Sequence, residues 1–577
     1  MYRRPAVLFT ILIILAAIPL VGQDAGGRGR FLDEAVLGFP RSQDPIQVFN
    51  PYWSPLYRLC YETPLACEMD DQKRMKIVPK LLAKLPEIDE SGRLVTLTLR
   101  KGVRFADDAC FKDGRGREVE ASDLVHTILR HADPATGSLY YRAYFAGRII
   151  GLDAHQAEAA TAGALDYESK IRGLRIKSKR VLEIWLTRAY PQLSALMTMP
   201  FFSLIPSEAR RAYGSGLADN PVGTGPYLFD ANASDVKALV YRANPKYWNR
   251  GGPERSQDRV YPRNAGVRFQ IVPTSKNIES RFKLGDIDFL DLDTNNRSRY
   301  LNVFNRLKKS VRPLKSKVVH SDGARLHYLA FNLKNKVLAK KKVRQALALA
   351  LDRSTYRRQF YRGAARLADH IVPPSVPMAT PEASYPWAYG KRDLKRARKL
   401  LAEAGYPEGK GMPEFVLDVP YEGKLAKLEV AIIERSFKEL GVRIQARIQP
   451  FAKYIDRARK GITEISVNYW FADYPDPENF FLMLIAANSP KPGTTFDAPN
   501  IGFYKRPEYE ALYKRASKLP PGEIRGELFA EMLKILQEDC PWIFIAWPED
   551  SVVTGPRIKS LDTRNRYVMD YAKITLR

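Results

Sequence analysis

The sequence predicts an α/β protein made of several domains. Its 577 residues exceed what a single hydrophobic core organises. Hydrophobic residues make up 45% and charged residues 27%, which is typical of a globular chain and excludes disorder over most of the length. Between residues 415 and 448, a strand, a helix and a second strand follow one another, and this alternation is the pattern of a βαβ unit.

The first 30 residues predict export. Arg3 and Arg4 precede an apolar run over residues 6–21, and small and polar residues follow, which is the layout of a secretory signal peptide. We expect a signal peptide at residues 1–23 and a Gly/Arg linker at residues 24–30, with an uncleaved anchor as the alternative. No Cys directly follows the apolar run, so a lipoprotein cysteine is not expected. These features favour a periplasmic or other extracytoplasmic location.

The formal net charge of +28 raises the question of a nucleic-acid or membrane partner. The basic residues are dispersed, however. Within residues 393–404 they alternate with Leu394, Ala397 and Leu401, as on the solvated face of an amphipathic helix. The sequence contains neither zinc-finger spacing nor an RNA-binding signature. We therefore expect no nucleic-acid partner.

The four cysteines, Cys60, Cys67, Cys110 and Cys540, suit an exported chain with zero to two disulfides. Three full pairings are possible, and the sequence does not choose among them. None of the four belongs to a CxxC pair, and no cluster of His accompanies them. The sequence therefore predicts no metal site and no nucleophilic cysteine.

Turn signals and period-two patterns dominate the first half of the chain. They predict a strand at residues 31–39, a turn at 42–45, a helix at 54–62, two strands around a tight turn at 94–99 and 100–105, a helix from a Ser122 cap to about residue 131, a hairpin at 174–186 and a Gly/Pro-rich turn at 220–227 that leads to a strand pair.

Helical periodicity is stronger in the second half. Val343, Ala346, Leu347, Ala350 and Leu351 recur at the spacing of one helix face. The further elements expected are strands at residues 267–272, 326–332, 415–419, 442–448 and 542–547, helices at 275–284, 393–404, 425–440 and 523–538, and a strand-like tail from residue 551.

One stretch departs from the basic character of the chain. Residues 461–490 contain no Lys or Arg, although an even spread of the 92 basic residues would place about five there. Residues 468–481, NYWFADYPDPENFF, group six aromatic side chains around Asp473 and Asp476. Such a segment suits a pocket for a cationic group. The alternative is a buried strand followed by a turn at Asp476-Pro477.

Twelve segments carry a resemblance to a known family. They are SQDP (42–45), YET (61–63), PKLLA (79–83), LRKGVRF (99–105), ASDL (121–124), PVGTGPY (221–227), NPKYW (244–248), GDID (285–288), FN (331–332), VRQAL (343–347) with LDR (351–353), the helix at 397–405, and WFADYPDP (470–477). In this order they resemble the extracytoplasmic solute-binding proteins of ABC transporters, in the oligopeptide/dipeptide-binding class.

The resemblance implies a two-lobed periplasmic-binding-protein fold, class II-like and of cluster C, with an extra domain inserted in the first lobe. The first lobe would comprise residues 31–65, 178–325 and 547–577, the inserted domain residues 66–177, and the second lobe residues 326–546. The hinge would cross near residues 324–330 and 545–548. The implied protein is not an enzyme and has no cofactor, because the lobes close over a ligand and a membrane permease recognises the closed form.

The resemblance also implies a ligand site. In peptide-binding members the acidic residue of the WxxD segment pairs with the ligand's α-ammonium, and Asp473 has that position here. The other expected ligand contacts are Trp470, Tyr469 and Asn468 beside it, Asn50 and Tyr52 after the first turn, Tyr141 and Tyr144 in the inserted domain, and His327 at the hinge.

Val467 departs from the family pattern, because some members place a basic residue there to hold the ligand's carboxylate. The expected ligand is a peptide, bound by a monomer and delivered to permease subunits in the membrane. One alternative is a non-peptide solute such as a metal chelate, an opine or a sugar. Another, from a different class, is an exported hydrolase.

Two motifs have both a functional and a structural interpretation. Gly223-Thr224-Gly225 lacks the Lys and the following helix of a phosphate loop, and we expect a turn. Four aspartates, Asp286, Asp288, Asp291 and Asp293, lack the Gly and the terminal Glu of a calcium loop, and we expect a strand.

Overall fold

The computed structural model describes residues 30–38, 40, 42–47, 54–251, 260–292, 296–302, 305–314, 316–377, 390–491, 498–561, 563, 565 and 568–577. The expected signal peptide and most of the expected linker lie outside these residues. Among the described residues, no helix is long and apolar enough to cross a membrane.

The described residues form fifteen α-helices and twenty strands. The helices are α1 (Ser54–Cys60), α2 (Ala121–Ala132), α3 (Leu152–Ala162), α4 (Gln192–Leu196), α5 (Ser207–Tyr213), α6 (Ser275–Leu284), α7 (Arg297–Tyr300), α8 (Lys341–Ala350), α9 (Arg353–Thr355), α10 (Leu394–Glu403), α11 (Lys424–Lys438), α12 (Phe451–Arg459), α13 (Glu478–Phe481), α14 (Pro507–Ala516) and α15 (Glu523–Asp539). The strands are β1 (Phe31–Leu37), β2 (Leu65–Met69), β3 (Met75–Pro79), β4 (Glu87–Ile88), β5 (Leu94–Thr98), β6 (Leu174–Ser178), β7 (Val181–Trp185), β8 (Tyr227–Phe229), β9 (Ala238–Ala243), β10 (Gly266–Val272), β11 (Phe289–Asp291), β12 (Lys317–Asp322), β13 (Arg325–Phe331), β14 (Ala365–Leu367), β15 (Phe415–Val419), β16 (Ile444–Ile448), β17 (Ile465–Phe471), β18 (Trp542–Thr554), β19 (Ile558–Ser560) and β20 (Thr575–Leu576).

An eight-stranded sheet organises the second half of the chain. Its strand order is β11-β18-β13-β17-β15-β16, and β12 and β14 also pair with β18. Strand β15 is parallel to both β16 and β17, which confirms the βαβ pattern read from the sequence. Helix α8 buries Val343, Ala346 and Leu347 completely, as its periodicity predicts.

Two paired segments run through the expected hinge. Strand β18 pairs with β12 at one end and with β13 at the other, so one long strand faces two successive ones. The two partner strands, β12 and β13, are separated by Gly323 and Ala324, and the register of the β13–β18 pairing shifts between His327 and Tyr328. The two segments expected to cross the hinge are therefore hydrogen-bonded to each other.

The first half of the chain holds two four-stranded sheets, with orders β1-β10-β9-β8 and β4-β5-β7-β6. The second sheet extends past residue 177, the expected end of the inserted domain, because β7 pairs with both β5 and β6. One hydrophobic core joins Leu97 of this sheet with Leu56 and Tyr227. Another core is formed by buried hydrophobic residues between positions 324 and 547, together with Cys67 and Met75.

Two local expectations are wrong. Residues 94–99 do not form a hairpin with residues 100–105, because β5 pairs with β7 and so matches its apolar Val95 and Leu97 with Ile184 and Leu182. Helix α2 is capped by Glu120 and not by Ser122. The reason is a reciprocal capping box, in which the Glu120 backbone N–H donates to the Asp123 carboxylate at 2.8 Å.

Four family motifs meet at one buried carboxylate. Glu62 of YET accepts hydrogen bonds from the Tyr247 hydroxyl at 2.6 Å and the Trp248 indole at 2.6 Å, both in NPKYW. Thr224 of PVGTGPY donates at 2.9 Å, and the Lys80 ammonium of PKLLA lies at 3.1 Å. These motifs therefore join distant parts of the chain, because a buried carboxylate requires several donors.

All four cysteines are free thiols, and Cys60, Cys67 and Cys540 are buried. Burial is the main cause that raises the pKa of Cys60 to about 12 and that of Cys67 to about 11. These thiols are therefore protonated and unreactive at neutral pH.

Candidate ligand-binding site

Strand β17 carries the acidic and aromatic stretch. It is antiparallel to β13, with Trp470 opposite Leu326 and Tyr469 opposite His327. Because side chains alternate along a strand, Asn468 and Trp470 lie on one face of the sheet and Tyr469 lies on the other. The Ala472 backbone N–H donates to the Ala324 carbonyl at 2.9 Å, so the pairing continues to the residue before Asp473.

Asp473 follows the end of β17 and is exposed. The Tyr144 hydroxyl, from the segment expected to form the inserted domain, donates to Asp473 Oδ2 at 3.4 Å. Burial and then the charge of Asp473 raise the pKa of the Tyr144 phenol well above its usual value. The structure thus brings together two residues that are 329 positions apart and that the sequence analysis placed in one site.

Aromatic rings surround this contact. Tyr144 is stacked against Phe201 with the ring centroids 5.5 Å apart, and Tyr140 is stacked against Phe201 at 4.2 Å. Tyr474 meets Tyr144 edge to face at 6.1 Å. Sequence reasoning missed Tyr140 and Phe201. Tyr140 directly precedes Tyr141, which the sequence analysis named as a ligand contact, whereas nothing near Phe201 in the sequence connects it with this site.

Trp470 is oriented by a buried amide. Its indole Nε1–H donates to Asn479 Oδ1 at 3.0 Å, and the Asp473 backbone N–H donates to the same oxygen at 2.8 Å. The Asn479 side-chain nitrogen lies 3.5 Å from Asp473 Oδ2. Asn479 is fully buried, and the sequence analysis did not single it out.

Asp476 has the structural role that its Asp-Pro sequence suggests. Its carboxylate forms a bidentate ion pair with the Arg525 guanidinium at 2.7 and 2.8 Å, and both side chains are buried. Asp476 also accepts the Glu478 backbone N–H at 2.8 Å, at the start of α13. Asp476 therefore fixes the turn, while Asp473 faces the Tyr144 hydroxyl.

Two side chains that were expected to contact the ligand, Asn468 and Tyr141, form hydrogen bonds away from Asp473. The Asn468 side chain is buried, accepts a hydrogen bond from the Tyr454 hydroxyl and donates to the Ser466 carbonyl at 3.0 Å. The Tyr141 hydroxyl donates to Asp153 at 2.7 Å. Asn50 and Tyr52 lie outside the described residues.

His327 of β13 and Tyr469 of β17 lie side by side on one face of the sheet. Their rings are stacked at 4.2 Å, and His327 Nδ1 is 2.6 Å from the Tyr361 hydroxyl. His327 Nε2 is 2.8 Å from Glu429 Oε1, a close contact that lacks the alignment of a hydrogen bond. His327 and Glu429 are fully buried. The structure therefore places His327 in the packing of the second half of the chain, on the sheet face opposite Trp470.

The Gly223-Thr224-Gly225 motif and the aspartate motif around Asp288 both connect distant segments of the chain. A Cβ atom on Gly223 would lie 2.2 Å from the Cys60 carbonyl oxygen, and one on Gly225 would lie 2.3 Å from that of Leu59. The glycines thus permit a close approach to the end of α1. Asp288 accepts the Asp33 backbone N–H at 2.9 Å and pairs with Arg557. Within the described residues no group of three or more His, Cys, Asp or Glu could hold a metal ion.

A cavity of about 670 Å³ lies apart from these residues. It is bordered by the end of β12, the middle of β18 at Glu549, the β2–β3 turn and the C-terminal segment, and none of the expected contact residues lines it. The contact between Asp473 and Tyr144 therefore defines the candidate site.

The chain belongs to the bacterial extracellular solute-binding proteins of family 5. The family profile described as "Bacterial extracellular solute-binding proteins, family 5 Middle" matches residues 76–491. Among similar proteins, Heme-binding protein A of Haemophilus influenzae is 26% identical over 492 residues, which cover 83% of this chain and 80% of that protein. The Dipeptide-binding protein of Escherichia coli is 24% identical over 494 residues, which cover 82% and 81%.

Solved structures show the same architecture. HbpA2 from Haemophilus parasuis has a TM-score of 0.73 at 21% identity, over 95% of this chain and all of that one. DppA from Helicobacter pylori in complex with the peptide STSA has a TM-score of 0.69 at 22% identity, over 95% and 98%. These likenesses confirm the two-lobed α/β periplasmic-binding-protein fold expected from the sequence.

Proposed function

We propose that this chain captures short peptides outside the cytoplasm and, as a monomer without catalytic activity, delivers them to the permease of an ABC importer. The observation that carries the proposal is the Asp473 carboxylate at the end of β17, faced by the Tyr144 hydroxyl at 3.4 Å. An exposed carboxylate beside aromatic rings suits the α-ammonium of a peptide, through ion pairing and cation–π attraction.

The surroundings of Asp473 support a ligand that is held between two parts of the chain. Trp470 and Asp473 come from the expected second lobe. The Tyr144 hydroxyl, from the expected inserted domain, contacts Asp473, and the Tyr140 ring is stacked against Tyr144. Closure of the two parts over a peptide would exclude water from the ion pair and strengthen it. The peptide-binding names among the relatives agree with this proposal.

Calorimetric titration of dipeptides and tripeptides, each with its N-acetylated counterpart, tests the proposal. We expect binding that acetylation abolishes and that Asp473→Asn weakens by about 10- to 150-fold, the effect of losing a charged hydrogen bond. Asp456→Asn, which removes a carboxylate from an exposed ion pair with Lys460, serves as the matched control. If free peptides bind no better than acetylated ones, or if the two variants behave alike, the proposal is wrong.

Native mass spectrometry of the purified protein identifies a co-purified ligand without prior assumptions. A bound metal chelate, opine or sugar would overturn the peptide assignment. Turnover of a bound compound would instead indicate a hydrolase.

A further inference from the structure

The orientation of the Asn479 amide follows from its partners. Its Oδ1 atom faces two N–H groups, the Trp470 indole at 3.0 Å and the Asp473 backbone at 2.8 Å. Neither group can accept a hydrogen bond, so the oxygen must lie on this side. The amide nitrogen then faces Asp473 Oδ2 at 3.5 Å. One side chain thus contacts both residues of the candidate site that approach a ligand from the second lobe.

The position of Asn479 is itself constrained. Its backbone N–H donates to the Asp476 carbonyl at 3.1 Å, and the Asp476 carboxylate is held by Arg525 in a buried ion pair. The side chain is fully buried, and its hydrogen-bond partners Trp470 and Asp473 lie at the end of β17. A buried amide between two fixed groups has little freedom to turn, so it transmits its position to both partners.

We propose that Asn479 is a positioning residue of the ligand site, which sets the separation and orientation of Trp470 and Asp473 without touching the ligand. Its predicted effect on ligand affinity rests on the proposed peptide-binding function. Its effect on the local structure does not, because both hydrogen bonds are formed between groups of the chain itself.

Hydrogen exchange of the ligand-free protein tests the local effect. We expect Asn479→Ala to accelerate exchange in fragments covering residues 471–474, because the Asp473 backbone N–H loses its acceptor. Asn479→Asp retains an acceptor oxygen and should preserve the protection. Asn500→Ala is the matched control, since Asn500 is also buried but donates to the Ile485 and Tyr504 carbonyls. Unchanged exchange at residues 471–474 in Asn479→Ala would overturn the proposal, whatever the ligand is.

Titration with a dipeptide such as Ala-Phe tests the effect on binding. We expect Asn479→Ala to weaken affinity at least tenfold, Asn500→Ala to leave it unchanged, and Asn479→Asp to restore it at about pH 8. On acidification, Asn479→Asp should lose affinity at a higher pH than the wild type, since a second carboxyl group raises the pKa of Asp473. Within the described part of the chain, the phenols of Tyr140 and Tyr144 also face Asp473, and their raised pKa values keep them neutral.

The possible failures are distinguishable. Faster exchange with unchanged affinity would overturn the positioning role. If no peptide binds the wild type, the proposed function fails while the exchange result still stands. Should Asn479→Ala not fold, an unshifted pH profile in Asn479→Asp would overturn the proposal.

Discussion

At the scale of single residues, burial decides the charge of His131. The ring is stacked on Phe145 at 4.4 Å, and its two nitrogens contact the Phe201 carbonyl at 3.0 Å and the Ser138 hydroxyl at 2.8 Å. Burial is the main cause that lowers the pKa of His131 to about 3. His131 is therefore neutral in the folded protein and becomes protonated in the unfolded chain near pH 6.5.

This difference predicts a loss of stability in acid. Between about pH 6.5 and pH 3 the unfolded chain binds a proton that the folded His131 does not, so the free energy of unfolding falls as the pH falls. Replacing His131 with Gln should reduce the fall between pH 7 and pH 5 by about 2 kcal/mol. Urea unfolding at both pH values measures the difference, and an equal fall in wild type and variant would contradict the prediction.

At the scale of elements, several family motifs connect segments that are far apart in the sequence. Arg344 of VRQAL is buried and donates to the Leu338 carbonyl at 2.7 Å and to the Cys540 carbonyl at 3.1 Å, which ties the start of α8 to the end of α15. Glu62 joins three other motifs in the same way. These motifs therefore reveal the fold, because they place particular side chains at long-range contacts. Asn479 lies in the stretch 468–481 but beyond its family segment, WFADYPDP (470–477).

The turn at Gly225 gives a second prediction. A Cβ atom there would lie 2.3 Å from the Leu59 carbonyl oxygen, so Gly225→Ala must displace α1 or the turn. We expect Gly225→Ala to lower the free energy of unfolding by about 1–3 kcal/mol.

Gly216→Ala is the matched control, since the nearest atom to its added Cβ lies 3.8 Å away in the Asn220 side chain. Thermal unfolding followed by circular dichroism compares the two variants. Equal melting temperatures would show that the close approach is not required.

At the scale of the whole molecule, side chains of the first half of the chain contact the second half. Gln192 of α4 donates to the Ser517 carbonyl, after α14, at 3.1 Å. Tyr144 contacts both Asp473 and Tyr474. With the lobe bounds expected from the sequence, separation of the lobes would break these contacts, and we therefore expect them to favour a closed arrangement.

Removing one of these contacts between the two halves of the chain should shift the lobes towards the open form. We expect Gln192→Ala to weaken closure by about 0.5–1.5 kcal/mol, the contribution of one hydrogen bond, and to raise the radius of gyration of the ligand-free protein. Small-angle X-ray scattering measures this radius.

Gln449→Ala removes a buried hydrogen bond to Asp418 within the second half of the chain and is the matched control. Identical scattering curves for the wild type and Gln192→Ala would contradict the prediction, as would an equal change in the control.

The sequence by itself determined what local patterns can specify. Period and spacing predicted α8 and the β15–α11–β16 unit, and the order of the motifs predicted the two-lobed fold. The role of Asp473 as a ligand contact stays a prediction. Only the tertiary structure decided which segments meet. It paired β5 with β7, turned Tyr469 and His327 away from Trp470, and brought Tyr140 and Phe201 beside Tyr144. The physical reason is that a strand face, a hydrogen-bond partner and a ring contact depend on residues far apart in the chain, whose arrangement is set by burial and packing of the whole core.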